Sequence, residues 1–333
     1  MSAMKRKLTI HIGMGKTGSS SIQSTLCENG EKLDEKGIKY LGLMLEFAGE
    51  REFNWQKARG WNIFNSLSKE IMNKQLVHVF ERLNNELPDK TSHLIWSNES
   101  LFGNAELLST AISKLDEFFD VQVIGYIRRP DTWVLSAYLQ WGIKHKTYKG
   151  PLKSFSQWIK NRKFSWEEDM MKWITLVQQA HYYNFDKVGN VTQHFLNIIL
   201  PGKNDEIIQK RVYETPPPAI QALYAYYNSA FDSQVEPNDF NKILHKSGVD
   251  NLSQPVRYFN NYLPEKDDIN NYVKKSMEHI NRINEILVDM GEPELVIENF
   301  EMKDYTVKQQ EIDRALLFMI AYLYKKLEMK NPD

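Results

Sequence analysis

Apolar and β-branched residues gather in five short runs: Leu8–Ile12, Ile38–Leu41, His93–Ser97, Val121–Ile127 and Ala180–Phe185. Each has strand length and predicts a strand. Between or after them the apolar positions recur at helical spacing over Leu67–Leu87, Ala105–Phe118, Asp131–Lys146, Phe155–Asn161, Glu167–Gln178 and Val191–Leu200. The first strand runs into a glycine-bearing turn, Gly13 to Gly18, and then into Ser19–Leu26, a helix opening on hydroxyl residues. Alternation of this kind predicts an α/β fold, a parallel sheet flanked by helices on both faces. After residue 200 the strand signals fade. Thr215-Pro216-Pro217-Pro218 can start a helix toward Tyr227, and longer helical patterns follow at Ile269–Met290 and Val307–Met329. In the last, Ile312, Leu316, Met319, Ile320, Leu323 and Leu327 share one face, while Lys325, Lys326 and Lys330 stand where the helix dipole favours cations. The expected organisation is a single domain over 1–333, an α/β core in 1–200 with a mainly helical C-terminal part in 201–333.

Composition narrows the partners. The chain has 333 residues, 42 Lys+Arg and 43 Asp+Glu, for a net charge of −1. A general nucleic-acid binder would show a strong basic excess, so no nucleic-acid partner is expected. The single cysteine, Cys27, excludes an intrachain disulfide and a Cys-rich zinc site. No His/Cys/Asp/Glu set has metal-ligand spacing, and no metal is expected. The basic start Lys5-Arg6-Lys7 is followed by an apolar stretch broken at once by His11, Gly13 and Lys16, unlike a signal peptide. No run approaches the roughly 18 apolar residues of a membrane span. The expectation is a cytoplasmic protein that does not span a membrane.

Two constellations carry chemistry. Gly13-Met14-Gly15-Lys16-Thr17-Gly18-Ser19-Ser20-Ser21 invites comparison with the nucleotide-binding GxxxxGK[ST] loop, but placing Lys16 on its lysine puts Ile10 where the first glycine belongs. The acidic strand end that would hold Mg²⁺ is also missing, because the third strand closes on Ser97-Asn98 before Glu99. What remains is an anion cradle at a strand-to-helix junction, with backbone N–H groups, hydroxyl donors and one ammonium. The second constellation is Arg128-Arg129-Pro130, at the C-terminal end of the Val121–Ile127 strand where open α/β sheets bind ligands. Ser136 follows about two turns into the next helix, so a guanidinium and a hydroxyl could converge on one phosphate. Two separated anion sites point to a ligand with phosphates at two places.

The pair resembles the sulfotransferase superfamily, whose donor is 3′-phosphoadenosine 5′-phosphosulfate (PAPS). Lys16-Thr17-Gly18-Ser19-Ser20 matches the family's 5′-phosphosulfate loop, and Arg128 with Ser136 has the eight-residue spacing of its 3′-phosphate motif. The resemblance covers residues 7–200 and is closest to bacterial and glycan-type members. It implies a P-loop NTPase-like fold with a helical C-terminal extension, and sulfuryl transfer to an acceptor hydroxyl or amine, leaving adenosine 3′,5′-bisphosphate. By that resemblance Gly15, Lys16, Thr17, Gly18, Ser19 and Ser20 hold the 5′-phosphate side, and Arg128 with Ser136 the 3′-phosphate. Lys16 stabilises the leaving phosphate. The transferred group carries less charge than a phosphoryl group, so a lysine and backbone donors could take the place of Mg²⁺.

A base must take the acceptor proton. Glu99 stands just beyond the third strand, where glycan sulfotransferases place a glutamate; the alternative is that it caps the next helix. His145, on the helix carrying Ser136, is the second candidate, and His11 inside the first strand reads as a packed histidine. For the acceptor, Trp55 and Trp61 interleave with Arg51, Lys57 and Arg59, and Lys144, Lys146 and Lys149 could add charge to the same rim. Such a set suits a small-molecule or glycan acceptor, a carbohydrate or glycolipid first and a phenol or peptide tyrosine equally by its aromatic rings, with core packing of the tryptophans as the competing reading. The competing functions are a P-loop kinase using ATP-Mg²⁺ and a non-catalytic nucleotide-binding protein of the same fold.

Overall fold

The structure, a computed structural model, describes residues 5–160, 162, 164–210, 216, 218–229, 231–247, 259, 262–297 and 309–328. Along the chain run β1 (Arg6–His11), α1 (Ser19–Glu28), α2 (Gly30–Glu35), β2 (Ile38–Tyr40), α3 (Trp61–Asn65), α4 (Lys69–Glu86) and β3 (His93–Ser97). A 3₁₀ turn (Glu99–Asn104), α5 (Ala105–Leu115), β4 (Phe119–Ile127), α6 (Pro130–Ala137), a π-helical stretch (Tyr138–Lys144) and α7 (Phe155–Ile159) follow. The remainder is α8 (Trp166–Leu176), β5 (Gln179–Asn184), α9 (Val191–Ile199), α10 (Pro218–Ser229), α11 (Asn238–Ser247), α12 (Lys266–Asp289) and α13 (Gln309–Glu328). All five expected strands are present. Of the expected helical residues, Asn161, Thr215, Pro217, Val307, Lys308, Met329 and Lys330 lie outside the described residues.

The chain divides into two compact units. The first comprises Met1–Arg129, Phe164–Val212 and Glu278–Val296; the second comprises Pro130–Lys163, Tyr213–Met277 and Ile297–Asp333. The first unit holds the sheet, five strands in the order β2-β3-β1-β4-β5, all parallel. Strand side chains alternate between faces, so each strand serves two cores. On one face Ile95, Ile124 and Tyr126 join Ile22 and Leu26 of α1 and Val191 and Phe195 of α9. On the other face the Trp96 ring lies 6.0 Å from Phe80 of α4. Asn73 ties α4 to α5 there, donating to the Leu107 carbonyl (2.8 Å) and accepting from the Ala111 N–H (2.7 Å).

Burial on both faces explains why the inner strands β1, β3 and β4 read as largely apolar runs. The outer edge of β5 is covered by the segment after α12, where Asn184 donates to the carbonyls of Pro293 (3.0 Å) and Glu294 (2.9 Å). That segment turns away from α12 at Gly291 (φ 78°), with Glu292 N–H bonded to Leu287 O (2.8 Å) and Gly291 N–H to Val288 O (2.9 Å). These are the two bonds of a Schellman cap, which needs a left-handed residue where Gly291 stands.

The second unit contains α6, α7, α10, α11, α13 and the start of α12. The expected continuous helix over Asp131–Lys146 instead passes from α6 into the π-helical stretch, closed by His145 N–H on Gln140 O at 2.7 Å. Gly142 is required there: a Cβ would lie 2.4 Å from the Tyr138 ring. Lys146 is fully buried and donates to the carbonyls of Phe231 and Ser233, stitching its loop to the segment after α10. Among the described residues no helix is long and apolar enough to cross a membrane.

Candidate functional site

Three strand ends meet at one edge of the first unit's sheet. β1 lies between β3 and β4, so the loops leaving β1, β3 and β4 emerge side by side at the carboxyl edge, where open parallel sheets bind ligands. The loop after β1 is held in an unusual path. Gly13 (φ 34°), Lys16 (φ 75°) and Gly18 (φ 81°) all take positive φ, and Lys16 does so with a side chain. Left-handed backbone at a non-glycine residue costs energy and persists where the surroundings over-determine it. Here those surroundings are visible. Thr17 is fully buried and its hydroxyl donates to Met14 O at 2.5 Å. Gly18 lies against α9, with Val191 Cγ1 2.5 Å from where a Cβ would stand.

The loop delivers the chain into α1 at Gly18, which caps the helix without a side-chain bond, and no acidic residue occupies the first turn. The positive end of the helix dipole is therefore not neutralised by a carboxylate from its own first turn. Ser19 is buried, and its Oγ has no hydrogen-bond partner among the described residues. Buried hydroxyls are nearly always paired, so an unpaired one at a helix N-terminus fits an anion held there. Gly15, Lys16 and Ser20 are half-buried around the same turn.

Arg128, at the end of β4, reaches this loop. Its Nη1 donates to the Lys16 carbonyl at 3.1 Å, and its guanidinium lies 5.3 Å from the centre of the Phe185 ring. The two motifs, 112 residues apart in sequence, thus touch through main chain and guanidinium. Arg129 is half-buried, with its backbone N–H on Asp186 Oδ2 at 2.8 Å.

Below the loop, His11 closes β1. It is fully buried, its Nδ1 is 2.7 Å from Ser97 Oγ at the end of β3, and its Nε2 has no partner among the described residues. Burial in an apolar shell that includes Tyr126 and Phe195 pushes its pKa down to about 3, so the ring is neutral. His11 is thus the packed histidine that the sequence suggested.

Glu99 opens the 3₁₀ turn after β3. Asn98 caps that turn, its Oδ1 accepting from Ser100 N–H at 2.9 Å, while its Nδ2 donates to Leu43 O at 2.9 Å. The capping role considered for Glu99 therefore belongs to its neighbour. The Glu99 carboxylate is half-buried and accepts from Gln23 Nε2 of α1 at 2.8 Å. Gln23, missed in the sequence, is almost fully buried and also donates to Ser97 O at 3.4 Å. Its signal was a polar residue within the buried stripe of α1, between Ile22 and Leu26.

The proposed acceptor aromatics separate. Trp55 is 2% exposed, 4.8 Å from Phe64 and stacked on Phe53 at 5.8 Å, with its indole N–H on Gln75 Oε1 at 2.8 Å. That is a core side chain with its polar atom satisfied, and it offers no ring to a sugar; for Trp55 the packing reading replaces the acceptor reading. Trp61, at the start of α3, is half-buried and Arg59 is exposed. Ser136 on α6, Lys144 and His145 belong to the second unit. Ser136 and His145 are half-buried, and Lys144 Nζ lies 5.3 Å from the Tyr224 ring centre with its pKa lowered by burial. No family model matches this chain, and no curated protein matches it in sequence.

Proposed function

We propose that this protein is a sulfotransferase of P-loop-like fold that moves a sulfuryl group from PAPS to an acceptor hydroxyl. The observation that carries the proposal is the meeting of the Lys16-Thr17-Gly18-Ser19-Ser20 loop with Arg128 at one sheet edge, beside the unpaired, buried Ser19 hydroxyl. Ser19, Ser20 and the first-turn N–H groups of α1 would hold the 5′-phosphate, and Arg128 the 3′-phosphate. Ser136 joins Arg128 on the eight-residue spacing of the motif alone. Lys16 would neutralise charge on the phosphate as it leaves, a transition-state interaction.

Glu99 takes the acceptor proton, with His145 the second candidate for that role. The acceptor is proposed to be a carbohydrate hydroxyl, bound with help from Trp61, Arg59 and Lys144 and without Trp55. A cytoplasmic location belongs to the same proposal and rests on the single cysteine. The test is release of adenosine 3′,5′-bisphosphate from PAPS across carbohydrate, phenol and amine acceptors. Acceptor-dependent release supports the proposal; its absence across all three classes, with ATP-Mg²⁺ turnover instead, would replace it with a kinase.

A further inference from the structure

We infer that Gln23 is a positioning residue that couples the donor-binding helix to the base. The inference rests on the sulfotransferase reading and deepens it. Gln23 is one turn inside α1, the helix whose N-terminus forms the anion cradle, and is 7% exposed. Its amide donates to Glu99 Oε2 at 2.8 Å and toward Ser97 O at 3.4 Å, at the end of β3. A carboxylate held by a neutral donor is fixed in direction without a counter-charge that would quench its basicity.

Oε2 is engaged by the amide, and Oε1 is the oxygen that remains to work. Glu99 Oε1 takes the proton of the acceptor hydroxyl as that oxygen bonds to sulfur. The bond from sulfur to the 5′-phosphate oxygen breaks, and its electron pair leaves with adenosine 3′,5′-bisphosphate. Because α1 carries both the cradle and Gln23, a shift of this helix moves donor site and base together. Tyr40 on β2 is a titratable group within reach of the Glu99 charge. Its buried hydroxyl has no partner among the described residues, and its pKa is raised by burial and then by the charges of Glu46, Cys27 and Glu99. Gln23 supplies the side-chain hydrogen bond that fixes the carboxylate, at 2.8 Å.

The test compares Gln23→Glu and Gln23→Met with wild type in the full chain. Two readouts are taken: the Glu99 carboxyl titration by ¹³C NMR, assigned with Glu99→Gln, and the pH profile of kcat/KM for PAPS transfer. A second carboxylate at position 23 raises the Glu99 pKa by about 1–2 units, since like charges sharing a site resist joint ionisation. The acidic limb of the profile moves up by the same amount. Gln23→Met, which adds no charge, lowers kcat about 10- to 100-fold with the donor KM within about 2-fold, as expected when a positioned base loses its orientation. An unmoved titration and an unmoved acidic limb in Gln23→Glu, with wild-type transfer intact, overturn the role of Gln23 and leave the sulfotransferase reading standing. Absence of transfer from PAPS in wild type overturns both.

Discussion

Replacing Gly18 by alanine imposes two separable costs on the loop. The residue sits at φ 81°, where an L side chain strains the backbone by about 1–2 kcal/mol. Its new Cβ would also stand 2.5 Å from Val191 Cγ1, an overlap in a packed region that typically costs about 1–3 kcal/mol. The sum, about 2–5 kcal/mol, is a large part of the roughly 5–15 kcal/mol that holds a domain folded. Val191→Ala alone removes two buried methyl-sized groups and costs about 1.6 kcal/mol at ~0.8 kcal/mol per group. In the double variant the atom that the new Cβ meets is gone, so the overlap cost disappears and only the backbone strain and the lost burial remain. Urea denaturation of the four proteins, followed by tryptophan fluorescence, should give a double variant more stable than additivity predicts by about 1–3 kcal/mol. Additivity within about 0.5 kcal/mol would refute the placement of α9 against the loop.

Lys16→Ala is expected to lower the turnover of PAPS about 10²- to 10³-fold while donor binding weakens far less, because the ammonium acts on charge that develops as the phosphate leaves. Single-turnover kinetics check this, and equal turnover in the variant would contradict the role. The protein should also lose stability as the medium turns acidic, through its buried neutral histidines. Burial lowers His11 to about 3, and burial, then Lys7, lowers His93 to about 4, whereas both titrate near 6.5 when unfolded. Below pH 6.5 the unfolded chain takes up these protons and the folded chain does not, so stability is full above 6.5 and falls as pH drops toward 4. Each histidine contributes up to about 1.4 kcal/mol per pH unit to that slope. In urea midpoints between pH 7 and 4.5, His93→Gln should flatten the slope by one proton's share; an unchanged slope would contradict this.

β1, β3 and β4 were legible because they lie inside the sheet and are buried along most of their length, whereas the edge strands β2 and β5 showed through their β-branched or aromatic residues, Ile38, Tyr40, Tyr182 and Tyr183. The short helices α2 and α3 were not. α2 is Gly-Glu-Lys-Leu-Asp-Glu with one buried side chain, Leu33, and a single contact cannot establish a period. The passage from α6 into a π-helical stretch was hidden too, because Tyr138 and Gly142 keep helical spacing either way. Lys16, Arg128 and Glu99 were readable from their places at strand ends. Gln23 was not, since its bond to Glu99 spans 76 residues of sequence and depends on α1 lying beside β3. Trp55 misled for a physical reason: its charged neighbours Lys57 and Arg59 are exposed on a loop whose aromatic residue turns inward to Phe53 and Phe64.

The donor claim is tested most directly by calorimetric binding of adenosine 3′,5′-bisphosphate, AMP and ATP with Mg²⁺ to wild type and Arg128→Ala. The account predicts that wild type prefers the bisphosphate to AMP by about 10- to 100-fold, the worth of one charge-assisted hydrogen bond, and that Arg128→Ala erases the preference. Equal binding of AMP and the bisphosphate by wild type, or preference for ATP with Mg²⁺, would contradict it.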